Sequence, residues 1–239
     1  MKTLFIVATH GDEGFSIPVL KKIEQKFDKK KYSYNWIVGN PLALEKKIRF
    51  VDVDLNRNAP GSAHSKYYEQ KRASEIMQIA QGYDVVIDIH GAKSNCGICT
   101  IISLPSFNNL LLASQMNCQN NVLWYSSNSK KSGPLNQHIG KPAIELECGP
   151  KSDKKIQQQL YKLLTNYLKR KEKIIFSEGL HWYAVAEKLN KVNFPKNIRD
   201  FIETKNKVIP FLSENTYLDG SFYNVKKIKF STLATQDIN

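Results

Sequence analysis

Two short apolar runs end at histidines: residues 3–8 lead through Thr9 to His10, and the run Asp84-Val-Val-Ile-Asp-Ile leads directly into His90. A stretch of four to eight apolar residues rich in Ile and Val, too short for a helix face, reads as a strand buried on both sides. Such strands belong to sheets covered by helices, which directs the chain to the α/β class. In open α/β sheets ligands collect at the carboxyl ends of strands, where both histidines would stand.

The intervening periodicity agrees. Ser16 is positioned to cap a helix carrying Ile17, Val19, Leu20, Ile23 and Phe27 at helical spacing, and a second strand is expected at 34–38, stopped by Gly39, Asn40 and Pro41. A helix over 65–81 leads into the second histidine strand. Further strands are expected at 97–103, 121–125 and 143–147, with helices at 107–117 and 153–171. With 239 residues and 41% apolar content the chain can build one sizeable core and a small appendage. After the charged stretch 169–173 the pattern breaks into short aromatic segments, so residues 1–171 are expected as the main domain and 172–239 as a small, mostly β extension ending in a polar tail.

The opening apolar run, residues 4–8, is too short for a secretory or membrane-spanning segment. Four cysteines without framework spacing, Cys96, Cys99, Cys118 and Cys148, suggest reduced thiols and a cytoplasmic location. The formal charge of +13 arises mostly from lysines scattered between apolar positions, without a helix-turn-helix, RRM or zinc-finger pattern. Nucleic-acid binding is therefore disfavoured, and the positive field favours an anionic small substrate by steering.

His10-Gly11-Asp12-Glu13 places an imidazole and a carboxylate three residues apart just after a strand, where a turn brings both to one point. With His90 they form a set of two histidines and one glutamate, the three-ligand zinc site that leaves a position open for water. Asp88 precedes His90 by two residues on the same strand, placed to orient an imidazole. Residues 49–57 embed charges among apolar residues, and Arg49, Asn56 and Arg57 could present guanidinium forks and an amide to a carboxylate. In 143–150, alternation puts Glu145 and Glu147 on one face. Either could take a proton from water, and Glu147 is preferred because it stands beside the Cys148-Gly149-Pro150 stop.

In order and spacing these pieces resemble the aspartoacylase and succinylglutamate desuccinylase family, a branch of the zinc carboxypeptidase superfamily. Its HGxE motif corresponds to His10 to Glu13, its NPxA and R-x-x-D-x-DLNR segment to Asn40-Pro41 and Arg49 to Arg57, and its D-x-H strand to Asp88 to His90. Its E-x-GP corresponds to Glu147 to Pro150, and a late segment ending in a substrate-contacting tyrosine is similar to 210–217, ending at Tyr217. The resemblance implies a three-layer α/β/α zinc-carboxypeptidase-like sandwich with a mixed central sheet, and one zinc ion per chain held by His10, Glu13 and His90. It further implies Glu147 as general base, Arg49 polarising the scissile carbonyl, and Asn56, Arg57 and Tyr217 contacting substrate. The activity implied is deacylation of a small anionic N-acyl amino acid. The oligomeric state stays open, a homodimer included. The chain departs from aspartoacylases in two ways: Gln137 and His138 stand where a further arginine is expected, and the C-terminal segment is shorter. A carboxypeptidase gripping a peptide terminus, or a basic binding protein without catalysis, are the rival readings.

Overall fold

Both histidine-bearing runs lie side by side in one mixed sheet, second and third from one edge. The structure, a computed structural model, describes residues 1–125, 132–170, 179–194, 198–214 and 220–229. The strands are β1 (Thr3–Val7), β2 (Tyr34–Val38), β3 (Val85–Gly91), β4 (Gly97–Ile102), β5 (Asn120–Leu123), β6 (Ala143–Gly149), β7 (His181–Asn190), β8 (Pro210–Phe211) and β9 (Ser221–Ile228). Their order across the sheet is β2-β1-β3-β6-β4-β5-β7-β9-β8. β1 and β6 flank β3 and run parallel to it, while β6 and β4 are antiparallel, so the sheet is mixed as expected.

Strand alternation sorts the core into two layers. Phe5, Val7, Val85, Ile87, Ile89, Ile144 and Leu146 join one cluster with helices α1 (Ile17–Lys26) and α6 (Lys154–Lys169) and with α4 (Phe107–Met116). Leu4, Ile6, Val86 and Ala143 point the other way, against α3 (Tyr68–Ala80) and the short α5 (Leu135–His138). Helix α2 (Pro41–Lys46) sits against the turn that follows β1. Burying both faces is why these strands read as continuous apolar runs.

Helix ends account for most differences from the sequence expectations. Ser16 does not cap α1: residues 11–16 form a 3-10 turn running into the helix, so its backbone is already right-handed (φ −83°, ψ −16°) and its hydroxyl caps nothing. Helix α3 starts at Tyr68 rather than Ser65, because the Ser65 hydroxyl accepts the Tyr67 N–H in a turn ahead of it. At α6, Asp153 accepts the Lys155 N–H as an N-cap should. β5 ends at Leu123, and the Trp124 N–H makes a further bond to β4, to the Ile102 carbonyl at 2.9 Å.

The C-terminal strands extend the same sheet. β7 pairs in parallel with β5, then antiparallel with β9, which pairs with β8. No helix among the described residues is long and apolar enough to cross a membrane. All four cysteines are buried and free, and burial pushes the Cys118 thiol up to about 12.

Candidate metal centre

Sheet register assembles the site before any side chain is considered. His90 is the partner of Glu147 and Asp88 of Glu145 on the parallel pair β3 and β6. Side chains two apart share a face, so all four project on the α3 side, with His90 and Glu147 nearest the carboxyl ends. Across β3, Ala8 takes a left-handed backbone (φ 52°) immediately before Thr9 and His10. This turns the chain out of β1, and Gly11 permits it: a Cβ there would lie 2.1 Å from the Ala43 carbonyl carbon of α2.

His10, Glu13 and His90 are all buried, with one potential ligand atom from each inside a 4.8 Å circle. The Glu13 carboxylate lies between the imidazoles, its Oε1 2.9 Å from His10 Nδ1 and its Oε2 3.1 Å from His90 Nδ1, and Oε2 also accepts the Gly91 N–H at 3.0 Å. The far ring nitrogens meet carboxylates as well. His10 Nε2 is 3.1 Å from Asp54 Oδ1, and His90 Nε2 is 3.0 Å from Asp88 Oδ2, whose Oδ1 accepts the Thr9 hydroxyl at 2.7 Å.

Ionised carboxylates only accept, so with a cation among Glu13 and the two Nδ1 atoms, Asp54 and Asp88 would hold the proton on each Nε2 and leave both Nδ1 lone pairs to the ion. Two imidazoles and one carboxylate are a zinc donor set, and the geometry fits that ion. Without it, protons answer the same carboxylates. Burial works against a charged His10, yet Glu13 and Asp54 raise its pKa; for His90, burial is likewise outweighed by Asp88 and Glu13, which hold it well above its ordinary value. Glu13 is pulled well below its ordinary range by the two histidines despite its burial.

Glu145 and Glu147 differ from the carboxylates that face the imidazoles, because burial raises both. Burial first and the Glu13 charge second push Glu147 up to about 8, from an ordinary 4.5. Arg49 reaches Glu13 Oε1 at 3.4 Å and Asp54 Oδ2 at 3.2 Å, so its guanidinium is engaged in ion pairs with both. The Asn56 amide is spanned between Glu145 Oε1, to which it donates at 3.1 Å, and the Leu135 N–H, which it accepts at 2.9 Å. Arg57 donates to the Asn56 carbonyl at 2.9 Å and otherwise faces the cleft. Tyr217 lies outside the described residues.

These groups line a cleft of about 330 Å3, together with Ile101, Trp124, Gln137, Leu212 and Tyr223. Gln137, standing at the expected arginine, therefore does reach the site. Sequence reasoning missed the aromatic and aliphatic lining, and it missed Glu69. This buried residue of α3 accepts the N–H groups of Val51, Asp52 and Val53 at 2.6, 3.0 and 3.1 Å and an Asn40 amide N–H at 3.1 Å, giving the 49–57 loop its shape. No spacing signal marks a helix glutamate for that task.

The sequence model of the succinylglutamate desuccinylase/aspartoacylase catalytic domain matches residues 1–171. A probable aspartoacylase of Prochlorococcus marinus subsp. pastoris is 30% identical over 108 residues, which cover 42% of this chain and 37% of that protein's length. The chain thus aligns with well under half of that relative. An N-acyl-aromatic-L-amino acid amidohydrolase (carboxylate-forming) of Xenopus laevis is 26% identical over 226 residues, covering 82% of this chain and 72% of the relative. Murine aminoacylase 3 shares the fold at a TM-score of 0.71 and 20% identity, over 95% of each chain. The succinylglutamate desuccinylase of Chromobacterium violaceum does so at 0.66 and 14% identity, over 95% of this chain and 85% of that one.

Proposed function

The chain belongs to the succinylglutamate desuccinylase/aspartoacylase family, and from that premise we propose that it is a zinc-dependent hydrolase cleaving the amide bond of an N-acyl amino acid. The observation that carries this reading is the convergence of the His10 and His90 Nδ1 atoms on the Glu13 carboxylate, with Glu147 beside His90 on the neighbouring strand. The names of two relatives, a probable aspartoacylase and an N-acyl-aromatic-L-amino acid amidohydrolase, support the same bond type.

His10, Glu13 and His90 would hold the ion, which when bound polarises an amide carbonyl and makes water nucleophilic near neutral pH. The rest is the work of the chain. Glu147 takes the proton of the attacking water on its carboxylate and returns it to the departing amine nitrogen. Arg49, held by Glu13 and Asp54, sets a fixed positive charge beside the reacting carbonyl. Arg57 offers its outward N–H groups to the substrate carboxylate, with Asn56 supporting it. Residues 1–171 carry this chemistry, and the 172–239 extension closes the cleft through Leu212 and Tyr223. Four buried free thiols support a reducing compartment such as the cytoplasm.

Metal analysis followed by a deacylation screen of N-acetyl, N-succinyl and longer N-acyl amino acids tests the reading. Release of free amino acid by the zinc-loaded protein is expected. Cleavage of peptides alone would replace it with a carboxypeptidase, and a protein that takes up no zinc and releases nothing would sink it.

A further inference from the structure

The 11–16 turn, which follows His10 and contains Glu13, is tied to the strand of Glu147 by a route outside the cleft. Lys151 follows β6 after Pro150. Its Nζ crosses to the turn, donating to the Asp12 carboxylate at 2.8 Å and to the Asp12 carbonyl at 3.1 Å. Asp12 stands in sequence between His10 and Glu13. The ammonium thus grips the metal-binding turn both by charge and by its backbone.

This link is one side of a closed ring. The Lys151 N–H donates to the Ala92 carbonyl at 2.7 Å and the Ala92 N–H to the Cys148 carbonyl at 2.9 Å, joining the end of β6 to the end of β3. The Gly91 N–H reaches Glu13 Oε2 at 3.0 Å, joining β3 to the turn. Lys151 closes the third side. The interior is tight: a Cβ at Gly91 would lie 2.7 Å from Cε1 of Phe15 and 2.9 Å from Cβ of Lys151, so glycine admits both side chains. Around the ring stand Glu147 beside Cys148, His90 beside Gly91, and His10 and Glu13 beside Asp12. The first side is backbone and the second uses a metal-binding residue. Lys151 is therefore the side that a substitution can open without touching the base or the metal set.

The Lys151 and Asp12 side chains are 19% and 37% accessible, and an ion pair so placed adds little to folding stability. Proton transfer is more demanding, since a misplacement of about 1 Å can cost on the order of 10²-fold. We propose that Lys151 is a positioning residue: through Asp12 it holds the His10–Glu13 turn at a fixed distance from Glu147. This rests on the deacylase reading above and deepens it.

The test uses zinc-loaded protein and the best substrate among N-acetyl-L-alanine, N-acetyl-L-phenylalanine and N-acetyl-L-aspartate. Lys151→Met keeps an unbranched stem and removes the ammonium. Its kcat should fall about tenfold with KM changed less than twofold, as expected when a supporting contact of a metal site is lost. Lys151→Arg should recover most of the loss. Asp12→Asn should cost less, and the double variant Lys151→Met with Asp12→Asn should fall no further than Lys151→Met alone, because both act through one contact. A wild-type kcat in Lys151→Met, a loss that Lys151→Arg does not recover, or strictly multiplicative losses in the double variant overturns the proposal. If no compound is hydrolysed, the deacylase reading has failed by itself. Zinc release into a chelator then decides: release about tenfold faster from Lys151→Met than from wild type upholds the grip on the turn, and equal rates remove it.

Discussion

The two halves of the cleft are built on opposite principles. At the histidine end, charged groups come from strand ends and one loop and fix one another: Asp54 and Asp88 hold imidazoles, and Arg49 holds Glu13 and Asp54. At the Leu212 end, side chains from β4, the stretch after β5, the turn after β8 and β9 meet through packing and one strained backbone position. Electrostatic preorganisation serves chemistry that all substrates share, while packed apolar surface distinguishes one substrate from another. Damage at the first should lower turnover for everything, and damage at the second should change what is turned over.

The sharpest break comes at Glu147. Glu147→Gln keeps the size and removes the base, so kcat should fall about 10²- to 10⁴-fold for every substrate with zinc content unchanged. A variant with wild-type kcat would show that the proton acceptor is another group. Arg57→Leu comes next: losing hydrogen bonds to a charged partner, worth about 1.5–3 kcal/mol, should lower kcat/KM roughly 10- to 150-fold for all N-acyl amino acids. If only some substrates suffered, Arg57 would act with the apolar half. Asp88→Asn removes the carboxylate behind His90, and zinc affinity should weaken about 10- to 100-fold in a chelator competition; undiminished affinity would show that Thr9 and the strand suffice to orient the ring.

The last effect concerns stability rather than turnover. In metal-free protein Glu147 binds its proton up to a pH of about 8, whereas the unfolded chain releases it near 4.5. The folded state holds the extra proton throughout that window, so stability declines as pH rises through it, by at most about 1.4 kcal/mol per pH unit, and levels off above. Urea unfolding of wild type against Glu147→Gln, with chelator, at several pH values should show a steeper decline in wild type, the rest coming from His10, His90 and Glu145, which are raised as well. Parallel curves would place the Glu147 pKa near its ordinary value.

Legibility divides along the same line. The His10–Glu13 turn, the Asp88–His90 step and the Glu145–Glu147 face could be read because each is local: a turn of three residues, a strand period of two, a stop at Gly149-Pro150. The central strands were readable for a related reason, since burial on both faces leaves an unbroken apolar run. The apolar half has no such signature. Trp124 and Tyr223 look like ordinary core aromatics until β5 ends one residue before the first and β9 brings up the second. Leu212, at φ +57°, runs against every local preference, and the Asp200 carboxylate that takes the neighbouring Ser213 N–H also takes the hydroxyl of Ser94, over a hundred positions away. Ser16 failed as a cap for a simpler reason, a preceding 3-10 turn that left no extended residue to do the capping.

The Glu69 carboxylate behaves toward the 49–57 loop as a bound anion would, collecting three consecutive amide protons from inside the protein. The loop bearing Arg49, Asn56 and Arg57 therefore carries its own internal ligand and is shaped before any substrate arrives. Capture of an N-acyl amino acid then costs no ordering entropy at this loop, and the encounter resembles docking onto a rigid surface. Amide exchange at Val51, Asp52 and Val53 should accordingly be slow in the free protein and no slower when the cleft is filled.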